Sequence, residues 1–159
     1  MTQEEHRAAV VREARSWIST PYVLGARVKG AGIDCASLIA EVLIAGGLAD
    51  REDLGVYSHD WFHHSENERY MLRLLRHAAK TMEAVAYRST QILPGNIVLT
   101  RAARSKVFNH GGIVTAWPQI VHAVAPAVEE IDASRHEMWT FQTIAVFDPF
   151  AKRAEEQIA

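Results

Sequence analysis

The stretch TPYVLGARVKGAGIDCASLIAEVLIAGGL, residues 20–48, decides how this chain is read. A loop punctuated by Gly25, Gly30 and Gly32 runs into Ile33-Asp34-Cys35. Helix-compatible residues 36–45 follow, and Gly46-Gly47 supplies a glycine C-cap. Cys35 is the single cysteine of the sequence and stands where that helix begins. A thiol at such a place meets unpaired backbone N–H groups and the positive end of the helix dipole. Both lower its pKa and favour the thiolate, the form that attacks carbonyls. A lone cysteine reads equally well as a small buried hydrophobe, and only the rest of the chain can separate the two.

Working outward, 159 residues fit one domain, here residues 1–159, with enough chain to bury a core. The hydrophobic fraction of 48% and charged fraction of 23% are those of a globular protein. Net charge is −2 with the signs interspersed, so no electrostatic footprint for nucleic acid is expected. One cysteine excludes an intrachain disulfide framework. Residues 1–16 lack the apolar run of a secretory signal, and no segment reaches membrane-spanning length. The expectation is a chain made in the cytoplasm and carried elsewhere, if at all, by something else.

Thr2 with Glu5 forms a capping-box pattern, and Val10, Val11, Ala14, Trp17 and Ile18 recur at helical spacing, predicting a helix that ends near Thr20-Pro21. It should pack beside the helix that starts at Cys35. Ser65 with Glu68 predicts another helix, with Met71, Leu74, Leu75 and Ala78 inward. Between them, Tyr57, Trp61 and Phe62 suggest a groove wall. His59, His63 and His64 invite a metal reading, but no carboxylate or cysteine completes a ligand set, so no metal is expected.

From Pro94 the period changes. Residues 97–99, 112–115, 119–124, 128–131 and 141–147 are short β-rich runs separated by turn residues, and read as successive antiparallel strands. Helices followed by a meander predict an α+β fold, with N-terminal helices packed on a central antiparallel sheet. His110 opens one strand and His122 lies in the next. A hairpin centred near Ala116 would set them opposite one another. With Cys35 against such a sheet, the three residues satisfy the requirements of an activated nucleophile: Cys35 attacks, His110 exchanges the proton, and His122 orients the His110 ring.

Taken together, Thr20-Pro21-Tyr22, Gly25, Gly32-x-Asp34-Cys35, Pro94-Gly95-Asn96-Ile97-Val98, His110-Gly-Gly-Ile-Val and Ile120-Val-His122-Ala resemble the NlpC/P60 cysteine peptidases in order and spacing from Trp17 to about Ala123. Tyr57 to Trp61, the acidic helix at Glu66 to Arg69 and the late Asp148-Pro149-Phe150 resemble the phage and prophage branch of that family. The resemblance implies a papain-like core and hydrolysis of peptidoglycan stem peptides, between D-glutamate and a diamino acid, without cofactor. It implies Cys35 as nucleophile, His110 as base and His122 as third residue. It also implies a substrate site at Tyr22, Asp34, Ala36, Ser37 and Trp61, with Asp34 recognising the free amino end of the substrate.

Asp34-Cys35-Ala36-Ser37 departs from the family's Asp-Cys-Ser-Gly, removing a hydroxyl at Ala36 that bears on substrate choice. Asn96 replaces the aspartate of Pro-Gly-Asp, a change that concerns a turn. The implied partners are the stem peptide and phage tail proteins, with action on the wall after lysis or as a tail component. Two other readings use the same residues: an acyltransferase or deamidase on a papain-like scaffold, and a tail or assembly component whose site is vestigial.

Overall fold

The computed structural model describes residues 1–49, 51, 92–102, 105–106, 108–140 and 144–150. Trp61, the Tyr57 to Trp61 segment, His59, His63, His64 and the helix expected after Ser65 lie outside the described residues.

Helix α1, Gln3–Ser16, begins where the sequence signals it. Thr2 Oγ1 accepts from the Glu5 N–H at 3.1 Å, and the Glu5 carboxylate accepts from the Thr2 N–H at 2.7 Å. These bonds use two of the donors that a helix start leaves unpaired. Val10, Val11, Ala14 and Trp17 are buried, whereas Ile18, expected on the same face, is exposed. The helix ends at Ser16 with Trp17 as its cap, so Ile18 falls in the turn beyond and no longer follows the helical period.

A two-residue hairpin, β1 Arg27–Val28 and β2 Gly32–Ile33, shapes the glycine loop that the sequence left without regular structure. Its Arg27 donates to the Glu41 carboxylate at 2.8 Å, fastening the loop to the next helix. That helix, α2 Cys35–Ala45, is capped by Asp34 and closed by Gly46, with Gly47 at φ 65°, a left-handed conformation that glycine adopts without steric cost. Leu38, Ile39, Val42 and Leu43 are fully buried. Each contributes about 1.5–3 kcal/mol by leaving water.

Five strands form an antiparallel sheet in the order β6-β5-β4-β3-β7: β3 Ile97–Thr100, β4 His110–Ala116, β5 Gln119–Ala123, β6 Val128–Asp132 and β7 Ala145–Phe147. Side chains alternate across the strands, so the sheet has two distinct apolar faces. Ile97, Leu99, Ile113, Val121, Ala123, Ala145 and Phe147 join α1 and α2 in the larger core. Val98, Val114, Ile120 and Val146 face a smaller cluster with Ala133, Trp139 and Ile144. A 3₁₀ turn, Ala133–Arg135, and a short helix, α3 Glu137–Thr140, supply Ala133 and Trp139 to that cluster. The fold is therefore α+β with both long N-terminal helices on one face, and a short helical segment lies over the other.

Arg7 closes the structure from end to end. Its guanidinium donates twice to Asp148, at 2.9 and 2.7 Å, donates to the Pro94 carbonyl at 2.9 Å, and lies 4.2 Å from the Phe150 ring centroid. Breaking a buried pair of this kind costs about 3 kcal/mol, the low end of the range because Asp148 is 31% exposed. Among the described residues no helix is long and apolar enough to cross a membrane.

Candidate active site

The loop, the helix start and two strands converge on Cys35. Asp34 places the thiol: one carboxylate oxygen accepts from the Ser37 N–H at 2.9 Å as the N-cap, and the other accepts from the Gly25 N–H at 2.7 Å. Asp34, Ala36 and Ser37 are all buried. Backbone N–H groups of the loop and of the helix start thus engage both oxygens of the Asp34 carboxylate. Tyr22 is half-buried against the larger core. It bridges Ile33, two residues before Cys35; burial raises its phenol pKa, and the charges that Cys35 and Asp34 would carry raise it further.

The thiol sits at the first residues of β4. Cys35 Sγ–H donates to the Asn109 carbonyl at 3.9 Å, and the Gly111 N–H faces the sulfur from the other side of His110. Asn109 is itself fixed, because its side-chain amide exchanges two hydrogen bonds with Ala102, at 2.7 and 3.2 Å.

The expected thiolate is not the resting species. Burial pushes the Cys35 pKa up to about 12, and the Asp34 carboxylate adds to the rise. The N–H groups of Ala36, Cys35 and Gly111 pull it down without prevailing. The helix terminus does favour the thiolate, but a thiol only 3% exposed loses more solvation than those N–H groups return.

His110 and His122 are joined, Nε2 to Nδ1, at 2.9 Å. They do not face one another across the ladder as a hairpin centred on Ala116 would require. His122 pairs with Gly112, and the turn falls at Trp117-Pro118 after an irregularity between Val114 and Ala116. Proline cannot donate to a ladder, so the turn settles one residue later than the symmetric guess. The histidines are instead diagonal neighbours on one face, still within reach of long side chains. That face is the one carrying Trp139, whose ring lies 5.6 Å from His110 and 6.2 Å from His122, centroid to centroid.

The relay continues beyond the two histidines. His122 Nε2 lies 3.0 Å from a Glu129 carboxylate oxygen, the two residues standing directly opposite on β5 and β6. A carboxylate accepts only, so His122 carries its proton on Nε2 and offers a lone pair at Nδ1. His110 must then donate from Nε2, which leaves a lone pair on its own Nδ1. The hydrogen-bond pattern thus assigns His110 the tautomer of a general base. Burial pushes the His110 pKa down to about 3, helped by the charge that His122 and His136 would carry. Burial also lowers His122, against the pull of Glu129.

Glu129 was missed in the sequence although a signal existed. A hairpin turning at Ala125-Pro126 sets residue 129 opposite residue 122, and only the chemistry of that pair went unread.

No protein-family model matches the sequence, and no curated protein matches it. Solved structures do. The chain is similar to NlpC1 from Trichomonas vaginalis, with 14% identity and a TM-score of 0.59 over 92% of this chain and 44% of that one. It therefore spans less than half the length of that protein. It is also similar to the NlpC/p60 domain of the peptidoglycan hydrolase SagA, with 24% identity and a TM-score of 0.54 over 88% of this chain and 97% of that one. A third likeness is to an N-acetylmuramoyl-L-alanine amidase from Bacteroides uniformis ATCC 8492, with 11% identity and a TM-score of 0.54 over 90% and 98% of the two chains. These likenesses establish an NlpC/P60-like fold.

Proposed function

We propose that this chain is a cysteine peptidase that hydrolyses an amide bond of peptidoglycan stem peptides, between D-glutamate and the diamino acid. Cys35 is the nucleophile, His110 the base and His122 the residue that orients it. The observation that carries this reading is the hydrogen-bonded series His110–His122–Glu129, which leaves His110 a lone pair on Nδ1, with His110 opening the strand that starts beside the thiol. Support comes from the NlpC/P60-like fold and from the ordered motifs around Cys35, His110 and His122.

The resting thiol is neutral, so its proton leaves as the sulfur attacks. Sγ bonds to the amide carbon, the thiol proton passes to His110 Nδ1, and the carbonyl π pair moves to oxygen. In this reading the Cys35 N–H donates to that oxyanion. His122, backed by Glu129, stabilises the imidazolium. His110 then gives its proton to the leaving nitrogen as the C–N bond breaks, which leaves a thioester. Water attacks the thioester while His110 takes one of its protons; the C–S bond breaks, and the proton returns to sulfur. Tyr22, Asp34 and Trp61 belong to the substrate site of this reading, and Ala36 and Ser37 bear on which stem peptide is held. The enzyme acts on the wall after lysis or as part of a phage tail.

The test is incubation of the purified chain with muropeptides, followed by mass spectrometry, beside Cys35→Ala. The expected result is a new amino end on the diamino acid with the wild-type chain alone. Equal product from both proteins would refute the reading, and transfer to an added amine without net hydrolysis would assign an acyltransferase instead.

A further inference from the structure

Behind the relay, on the face away from the large core, one further histidine approaches. The His136 ring stands edge-on to His122, with centroids 5.6 Å apart and planes at 87°. Ligand atoms of His122, Glu129 and His136 all lie within 4.8 Å of one another. Two imidazoles and a carboxylate are the donor set of zinc-class sites that keep a fourth position open. The three come from different depths: His122 is fully buried, His136 half-buried, and the Glu129 side chain is 45% exposed, which leaves the cluster a route to solvent. His136 Nδ1 accepts from the Met138 N–H at 3.3 Å, a long bond that coordination would give up at little cost.

We propose that His122, Glu129 and His136 bind a divalent transition-metal ion of the zinc class, and that binding switches the relay off. A metal ion needs the lone pair of His122 Nε2, the atom that otherwise carries the proton facing Glu129. That proton leaves to solvent. His122 Nδ1 then takes the proton of His110 Nε2, the usual arrangement in which a metal-bound imidazole donates from its other nitrogen. His110 Nδ1 acquires a proton from solvent in exchange, so the only charge added is that of the cation. His110 now presents an N–H where the reaction needs a lone pair. The metal is therefore an inhibitor bound at the far end of the catalytic relay. Binding itself is independent of the proposed activity; the inhibitory effect rests on that activity.

The experiment titrates the metal-free full chain with Co²⁺, reading the visible bands of a tetrahedral ion, and with Zn²⁺ by calorimetry. Wild type, His136→Ala and Glu129→Gln are compared, with circular dichroism confirming that each is folded. The expected result is one saturable site in the wild type, weakened by about tenfold or more in either variant. Muropeptide hydrolysis by the wild type should fall at least about tenfold at saturating Zn²⁺, with much less loss in His136→Ala relative to its own metal-free rate. Absence of a saturable site, or equal binding by all three proteins, would overturn the site. Binding with undiminished hydrolysis would overturn the switch. A chain that binds metal but never hydrolyses muropeptides would count against the proposed function and leave the site established.

Discussion

Gly112, not His110, faces His122 across the β4–β5 ladder, and the His110 ring reaches His122 diagonally over the position where Gly112 has no side chain. A Cβ at residue 112 would lie 3.0 Å from the Val121 carbonyl oxygen, 3.3 Å from Ile120 Cδ1 and 3.4 Å from His122 Cβ. Gly112→Ala should therefore cost about 1–3 kcal/mol of stability through overpacking, and it should lower muropeptide turnover more than the stability loss explains. Urea midpoints and kcat measured on the same preparation would check this, and an alanine variant with wild-type turnover would show that the diagonal contact is not needed.

Glu129 should act on turnover and not on substrate affinity, because its described hydrogen bond is to His122, at the end of the series away from the thiol. Replacing it by glutamine leaves a group that can accept or donate, so the tautomer is no longer dictated. Glu129→Gln is expected to lose about tenfold to a hundredfold in kcat with KM unchanged, whereas Glu129→Asp should recover part of the loss. Steady-state kinetics on a defined muropeptide decide this, and a change confined to KM would contradict it.

Two of the shifted groups, His110 and Cys35, contribute opposite edges to the stability profile. His110 is neutral in the folded chain until about pH 3, while in the unfolded chain it takes up a proton below 6.5. The unfolded state binds more protons between those values, so stability should fall as pH drops through that window, by about 1.4 kcal/mol per pH unit. Cys35 behaves conversely. The unfolded thiol ionises above 9.0 while the folded one holds its proton to about 12. Stability should fall as pH rises through that interval. Urea midpoints across pH would show both edges, with His110→Gln making the acid side less steep, where lowered His122 also contributes, and Cys35→Ser the alkaline side, where raised Tyr22 also contributes. At neutral pH, iodoacetamide should label the folded chain more slowly than the urea-unfolded chain.

Local signals in the sequence carried far. Thr2 with Glu5, Asp34-Cys35 before an apolar run, and Gly46-Gly47 after it each state a helix end in chemistry that involves only near neighbours, and the structure has those ends. The five strands were legible for the same reason, the last of them over Ala145–Phe147 of the expected 141–147, where residues 141–143 lie outside those described. What escaped depended on pairing between distant segments. The register of His110 and His122 turns on where Trp117-Pro118 lets the chain reverse. The Cys35 pKa depends on how closely β4 covers a residue 74 positions earlier. Helical periodicity also placed Ile18 inside, because nothing in that pattern marks the helix as ending at Ser16.

The sheet keeps its two apolar faces apart, with the thiol anchored in the larger core and the histidines backed by Trp139 in the smaller one. Among the described residues, the thiol and the imidazoles are thus packed against different clusters, on either side of a sheet whose strand β4 borders both. Repacking Val98, Ile120, Trp139 or Val146 would shift the His110 ring while the thiol's own setting stays fixed. Reactivity in such a molecule can be adjusted from one side of a wall without disturbing the foundations on the other.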